Sequence, residues 1–332
     1  MIRAEIAAAG PMRLDRYMAL CTAHYYATRD PFGRAGDFVT APEMTQAFGE
    51  LLGAWCAEVW RGMRRPDPVL LAEAGPGRGT LMADALRLAG RVAPDFAAAA
   101  RVHLIETSPV LRARQQRTLS GRVAAWHDGI ETLPEGPLLL VANEFLDALP
   151  VRQFLGGGRE RAVGLEGDRL VWTSVATAEA AEPGERGDAA RAWVAALAAR
   201  LVRAGGAALL IDYGHAGGAA DTLQAVRGHV AVDPLAAPGE ADLTAQVDFA
   251  AIAAAARAAG AAVHGPVPQA AFLRALGLPE RTALLCRAAR PEAARQLQAA
   301  ARRLLDADAM GLLFKAVALT APGLPPPPGL AP

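Results

Sequence analysis

The chain is expected to fold as an α/β protein, a mostly parallel sheet with helices on both faces. Three observations carry this expectation. Short apolar runs of strand length alternate with helical segments between Val69 and Asp212. The run Leu138–Asn143 is apolar up to Ala142 without alternation, as a strand buried on both faces is. A glycine-rich turn, Gly75-Pro76-Gly77-Arg78-Gly79, joins the first run to a helix, and open α/β sheets bind ligands at such junctions.

The elements follow in order. Residues 1–66 read as an N-terminal helical extension and lid. Met12–Thr22 and Met44–Met63 have helical periodicity, and Tyr25–Phe38 between them is a loop, too rich in Gly, Pro and Asp for helix. The core spans 67–320. Its strands are Val69–Glu73, Val102–Glu106, Val123–His127 and Leu138–Asn143, with helices at Thr80–Leu88 and Val110–Leu119. The alternation breaks at an insertion of about 151–185. There Val151–Phe154 and Leu170–Val175 read as hairpin strands added to the sheet region, because Gly156-Gly157-Gly158 and Gly167-Asp168 supply turns. A helix at Asp188–Ala204 stops at Gly205-Gly206, and the fifth strand is Ala207–Asp212. A second insertion, about 217–247, reads as a long loop with a little structure. It is followed by a helix at Asp248–Ala259 and strands at Ala261–His264 and Gly311–Thr320. The proline-rich tail, 321–332, is expected to be poorly ordered.

Composition narrows the function. The 332 residues hold 34 basic and 34 acidic side chains, so no global field marks a nucleic-acid or membrane binder. No stretch is apolar enough to span a bilayer. Cys21, Cys56 and Cys286 lie far apart, and the six histidines lack ligand spacing, so neither a disulfide framework nor a metal site is expected. The N-terminus lacks the apolar run of a secretory signal, which places the protein in the cytoplasm by default. The oligomeric state, monomer or homodimer, stays open.

The glycine turn is the strongest local signal. Gly75, Gly77 and Gly79 let a ligand approach the backbone, and the helix that follows offers free N–H groups to an anionic moiety. The spacing departs from the G-x-G-x-x-G of dinucleotide binders. Glu73, just before the turn, suits a ligand that also carries an ammonium group. S-adenosylmethionine carries one and NAD does not. Glu106, with Thr107 after it, ends the second strand, where a carboxylate accepts ribose hydroxyls. Asp128 follows the third strand, where it either meets an exocyclic adenine amine or caps a helix, with Trp126 packed nearby or in the core.

Asn143, Glu144 and Asp147 follow the fourth strand, at the edge where an open sheet places its chemistry. Methyl transfer to an amine or guanidinium requires groups that pair with the cation and take its proton, and carboxylates do both. If the segment turns helically, Glu144 and Asp147 share a face. The bland reading is a pair of solvated helix-capping residues. Two rival functions are an NAD-dependent oxidoreductase, disfavoured by Glu73 and the spacing, and an assembly factor that binds the cofactor but acts by contact.

Several runs together resemble the MidA-like family of methyltransferases, which includes a mitochondrial assembly factor of respiratory complex I. They are Asp30–Glu43 (Asp-Pro-Phe-Gly-Arg-Ala-Gly-Asp-Phe-Val-Thr-Ala-Pro-Glu), Phe48–Leu51, the glycine turn, Asn143–Pro150, Ile211–His215 and Asp242–Phe249. The resemblance implies a Rossmann-like class I methyltransferase sheet with S-adenosylmethionine held by Glu73, Gly75, Gly77, Gly79 and Glu106. It also implies a protein arginine substrate such as a complex I subunit, which the carboxylates Glu144 and Asp147 would suit. Thr40, Pro42 and Glu43 would then fold over the cofactor as one wall of the substrate pocket, with Tyr213 at the same edge. The family's His-Pro-x-x-Gly-Tyr-Tyr run is shortened here to Cys21-Thr22-Ala23-His24-Tyr25-Tyr26, which bears on the lid.

Overall fold

The computed structural model describes every residue except Arg34, Ala35, Ala180, Ala219, Ala220, Ala331 and Pro332. Two of these, Arg34 and Ala35, belong to the Asp30–Glu43 run that carried part of the resemblance, so that piece lies outside the described residues.

The central sheet is built from β1 (Val69–Ala74), β2 (Ala100–Ile105), β3 (Val123–His127), β4 (Leu138–Asn143), β5 (Gly206–His215), β6 (Ala262–Pro268) and β7 (Phe314–Thr320). Their spatial order is β3-β2-β1-β4-β5-β7-β6, with a short strand, Val247–Asp248, beside the end of β5. Strands β1 to β5 are parallel, and β7 runs antiparallel between β5 and β6. Register brings the carboxyl ends into one line: Ala74 faces Ile105 on one side and Ala142 on the other, and Ile211 faces Asn143. The acidic residues just beyond these positions therefore converge.

Alternate residues of the strands bury on opposite faces. Leu71, Leu139 and Leu209 pack with Phe48, Leu52 and Trp55, whereas Leu70, Leu140 and Leu210 pack with Val194, Leu197 and Phe249. Burial on both faces explains why these runs show no polar alternation.

The long N-terminal helix Gln46–Gly62 starts at Thr45, whose hydroxyl accepts from Ala47 N–H. It lies tight against the helix Thr80–Val92 that follows the glycine turn. A Cβ on Gly53 would stand 2.6 Å from Ala85 Cα, and one on Gly49 2.8 Å from Leu81 O. Glu50, fully buried between them, is held by Arg87 and Arg281 at 2.6 Å each. A buried carboxylate needs such pairing.

Several expectations change. The helix expected at Met12–Thr22 runs Leu14–Thr28 and takes in Tyr25 and Tyr26. Its buried stripe, Leu14, Tyr17, Met18, Cys21 and Tyr25, continues at helical spacing, and the helix-breaking residues begin only at Asp30-Pro31. The first insertion does not extend the central sheet. Its strands Arg152–Gly156, Arg159–Glu166, Arg169–Ala176 and Gly184–Arg186 form a separate sheet that also captures Met12–Arg13. The second insertion holds a small sheet of Gln224–Arg227, Val230–Ala231 and Asp242–Thr244. Helices Gln269–Ala275, Leu278–Ala288 and Pro291–Leu305 fill a stretch to which the periodicity reading assigns nothing.

The tail is packed, not loose. Trp55 Nε1 donates to Pro328 O at 3.2 Å, and Leu330 is 1% exposed in the core that covers one face of the sheet. We therefore expect Leu330→Ala to destabilise the fold by about 2–4 kcal/mol, the cost of emptying a buried leucine site. Urea denaturation checks this; a change below about 0.5 kcal/mol would mark the tail as unanchored.

Candidate active site

A cavity of about 750 Å³ opens beyond the carboxyl ends of the strands. Six carboxyl side chains line it, those of Glu106, Asp128, Glu131, Glu144, Asp147 and Asp242. No arginine or lysine does, among the described residues. A pyrophosphate would meet that charge unfavourably, and a cationic ligand would be welcomed by it.

One end is shaped by the glycine turn. Gly75, Gly77 and Gly79 all have positive φ, at 64°, 49° and 79°. A Cβ on Gly75 would sit 2.9 Å from the Phe145 ring, and one on Gly77 3.0 Å from Phe32. Both contacts require glycine. The turn is tied to the second strand by Gln115, whose Nε2 donates to Gly77 O at 2.7 Å and to Glu106 Oε2 at 3.1 Å. Ser108 N–H donates to Glu106 Oε1 at 2.8 Å. Burial raises the Glu106 pKa against these donors.

Not every expected residue lies where the sequence reading put it. Glu73 occupies a small recess behind the turn, shared with Thr40, Pro42, Glu43, Asn143 and Glu144. Thr40, Pro42 and Glu43 thus brace the turn from behind and do not wall the main cavity. Glu43 receives Arg78 at 3.4 Å and the Thr80 hydroxyl, and Arg78 also grips Asp30 at 2.9 Å. The cavity wall from this segment is Phe32 and Phe38 instead. Thr107 lines the cavity. Asp128 sits on its rim, 78% exposed, paired with Arg112 at 2.6 Å, and caps no helix. Trp126 packs against the core and donates to Gln115 Oε1 at 2.8 Å, so it buttresses the Glu106 network from outside the cavity.

The segment after β4 is a tight turn and not a helix, so Glu144 and Asp147 do not share a helical face and are not solvated caps. Glu144 itself adopts φ +52°. Asp212, at the end region of β5, shapes the turn: its Oδ2 accepts the backbone N–H groups of Phe145, Leu146 and Asp147 at 2.9–3.3 Å. Glu144 Oε1 accepts from Asn143 Nδ2 at 3.0 Å and Ala41 N–H at 3.3 Å. Asp147 is 7% exposed, and its Oδ1 has no partner; Asn143 Oδ1 and Glu73 Oε2 are also unpartnered.

Two further groups join them that the sequence reading gave no role. Asp242 stands on the small sheet of the second insertion and accepts from the Tyr26 hydroxyl at 3.0 Å. Thr244, on the same strand, accepts from the Tyr213 hydroxyl at 2.6 Å. Tyr26 belongs to the shortened run, which is helical and still lines the cavity through Thr22, Ala23 and Tyr26. The signals lay in the quoted runs at 21–26 and 242–249, but nothing in either showed that they meet.

Burial holds protons on this cluster. It pushes Glu73 to about 8. Burial and the repulsion of Asp147 push Glu144 to about 7 and Asp242 to about 8. Asp147 and Asp212 are raised by burial too, Asp212 also by repulsion from Asp147 and Glu144. Each of these acids binds its proton more tightly folded than unfolded. Their stabilising contribution is therefore complete at low pH and is lost as pH rises from the ordinary carboxylate range through about 8. We expect the Tm of the free protein to fall between pH 6 and 8.5, and Glu73→Gln to flatten part of that slope. Thermal denaturation across pH reads it, and a Tm rising over the interval would refute the assignment.

Comparison with known proteins places this geometry. Residues 51–267 match the family model described as "Putative S-adenosyl-L-methionine-dependent methyltransferase". The Drosophila melanogaster protein arginine methyltransferase NDUFAF7 homolog, mitochondrial, is 37% identical over 96% of this chain and 83% of its own length. The mouse protein of that name is 35% identical over 95% and 82%. A Burkholderia thailandensis crystal structure bound to S-adenosyl-homocysteine is 30% identical, covers 99% of this chain and 92% of that one, and superposes with a TM-score of 0.84. The mitochondrial names of the curated relatives correct the cytoplasmic location expected above. With its strand order, its glycine turn and this similarity over nearly its whole length, the chain belongs to this family of S-adenosylmethionine-dependent methyltransferases.

Proposed function

We propose that the chain methylates the guanidinium of an arginine in a protein substrate. One observation carries this reading: Glu144 and Asp147 stand on the cavity wall, neither forms an ion pair with an arginine or lysine among the described residues, and one Asp147 oxygen is unpartnered. Carboxyls kept apart from a counter-ion are destabilised, and a guanidinium entering the cavity relieves them. The names of the relatives, protein arginine methyltransferases, support the same acceptor.

The cofactor residues fit. The glycine turn leaves a shelf where side chains would collide, Glu106 offers two oxygens at the end of β2, and Glu73 keeps a buried oxygen free for an ammonium group. S-adenosylmethionine supplies an electrophilic methyl group carried on sulfur. Glu144 and Asp147 bind the guanidinium, align the attacking nitrogen, and take the proton it sheds as the new bond forms. Both acids must be ionised to pair with the cation, so catalytic efficiency should rise with pH through the range in which they lose their protons.

Glu144→Gln and Asp147→Asn are each expected to lower methyl incorporation by about 100-fold or more, with S-adenosyl-homocysteine binding retained. Glu73→Gln should weaken that binding by about 10-fold, the loss of one charge-assisted hydrogen bond. Radiolabelled methyl transfer with peptide mapping reads the first, and calorimetric titration the second. A complex I subunit, the substrate class the resemblance implies, is the first acceptor to try. Label on lysine, or on no protein, would overturn the arginine reading.

A further inference from the structure

We infer that Asp242 is a guanidinium-selecting residue, contributed by the second insertion, and that Tyr26 positions it. The inference rests on the arginine reading above and deepens it by naming what distinguishes arginine from lysine. Asp242 is 7% exposed and lines the same cavity as Glu144 and Asp147, although it comes from a different sheet. The insertion is fastened at this place: Ala245 N–H donates to the backbone oxygen of Asp147 at 2.9 Å. That bond brings the strand Asp242–Thr244 up to the turn after β4.

The hydrogen bonding of Asp242 is half complete. Its Oδ1 accepts from the Tyr26 hydroxyl at 3.0 Å, and its Oδ2 accepts nothing among the described residues. No arginine or lysine among them pairs with it. Asp147 lines the same cavity, and its buried Oδ1 lacks a donor, an independent sign of a missing partner. Two carboxyls from two elements, each with a free oxygen, suit a ligand with donors on more than one edge. A guanidinium is such a ligand, with five N–H groups in a rigid plane. A lysine ammonium is a compact point charge with three donors and gains less from acceptors spread across a plane. The Tyr26 hydroxyl occupies one Asp242 oxygen and leaves the other for substrate.

The test uses the full chain, saturated with S-adenosyl-homocysteine, and two neutral-ended probes: N-acetyl-arginine methylamide and its lysine counterpart. Calorimetric titration of the wild type should show arginine favoured by at least about 10-fold, the worth of an added charge-assisted hydrogen bond. Asp242→Asn should reduce that preference to about 2-fold while S-adenosyl-homocysteine still binds as in the wild type. Tyr26→Phe should keep part of the preference and move the acid limb of arginine binding to higher pH. It removes the donor that favours ionised Asp242, which otherwise faces Asp37, Glu144, Asp147 and Tyr213. A wild type that prefers lysine or binds neither probe overturns the arginine reading and this inference with it. A wild-type preference that survives in Asp242→Asn overturns this inference alone, as does a Tyr26→Phe profile that does not move.

Discussion

Three backbone N–H groups converge on one carboxylate oxygen, Asp212 Oδ2, and the geometry of the site depends on that convergence. Asp212 lies on β5, and the N–H groups belong to the turn after β4. The parallel pairing of the two strands sets their distance. With the turn pinned, Glu144 takes a left-handed conformation and Asp147 lines the cavity. A buried carboxylate that satisfies three orphan donors converts sheet register into side-chain position.

The arrangement has a cost. Several acids are crowded around one cavity, and burial with mutual repulsion keeps protons on them. The rest of the fold tolerates this because the apolar strands β1, β4 and β5 are buried on both faces immediately beneath. Destabilised acids are poised for a cation, and under the proposed function the energy held in the free site is returned when a guanidinium pairs with them.

The extension before β1 is part of the site and not an appendage. Arg78, inside the glycine turn, reaches out to Asp30 and Glu43 and ties the loop across the turn. The same loop is held at its other side, where Asp37 accepts from the Tyr25 hydroxyl and from Gly228 N–H of the second insertion. Phe32 and Phe38 then close the cavity from above the turn. Residues far apart in the chain thus share one strap, and the shortened run at 21–26 supplies a helical wall to it.

Much of this was legible beforehand because it is local. A strand buried on both faces has to be apolar throughout, and a turn that meets a ligand with its backbone has to be glycine. Both constraints write themselves into short stretches, so β1 to β5 and the glycine turn could be read directly, and Glu73, Glu106, Glu144 and Asp147 could be placed at the strand ends. Other features were not readable, because they depend on contacts between distant segments. The burial of Leu330 in the same core cluster as Phe272 and Trp55 hides behind a tail of prolines that looks disordered. Thr40, Pro42 and Glu43 carry the right residue types for a lid, but Arg78 and Thr80 draw Glu43 behind the turn. Asp242 looked like any loop aspartate until the second insertion folded its strand against Asp147 and the N-terminal helix supplied Tyr26. The parallel strands and the glycine turn could be read from the chain alone, because neighbouring residues meet their requirements. Which acids face the cavity together was settled only on folding, because Asp147 and Asp242 are placed by hydrogen bonds, those to Asp212 included, between strands, turns and insertions that are remote in the chain.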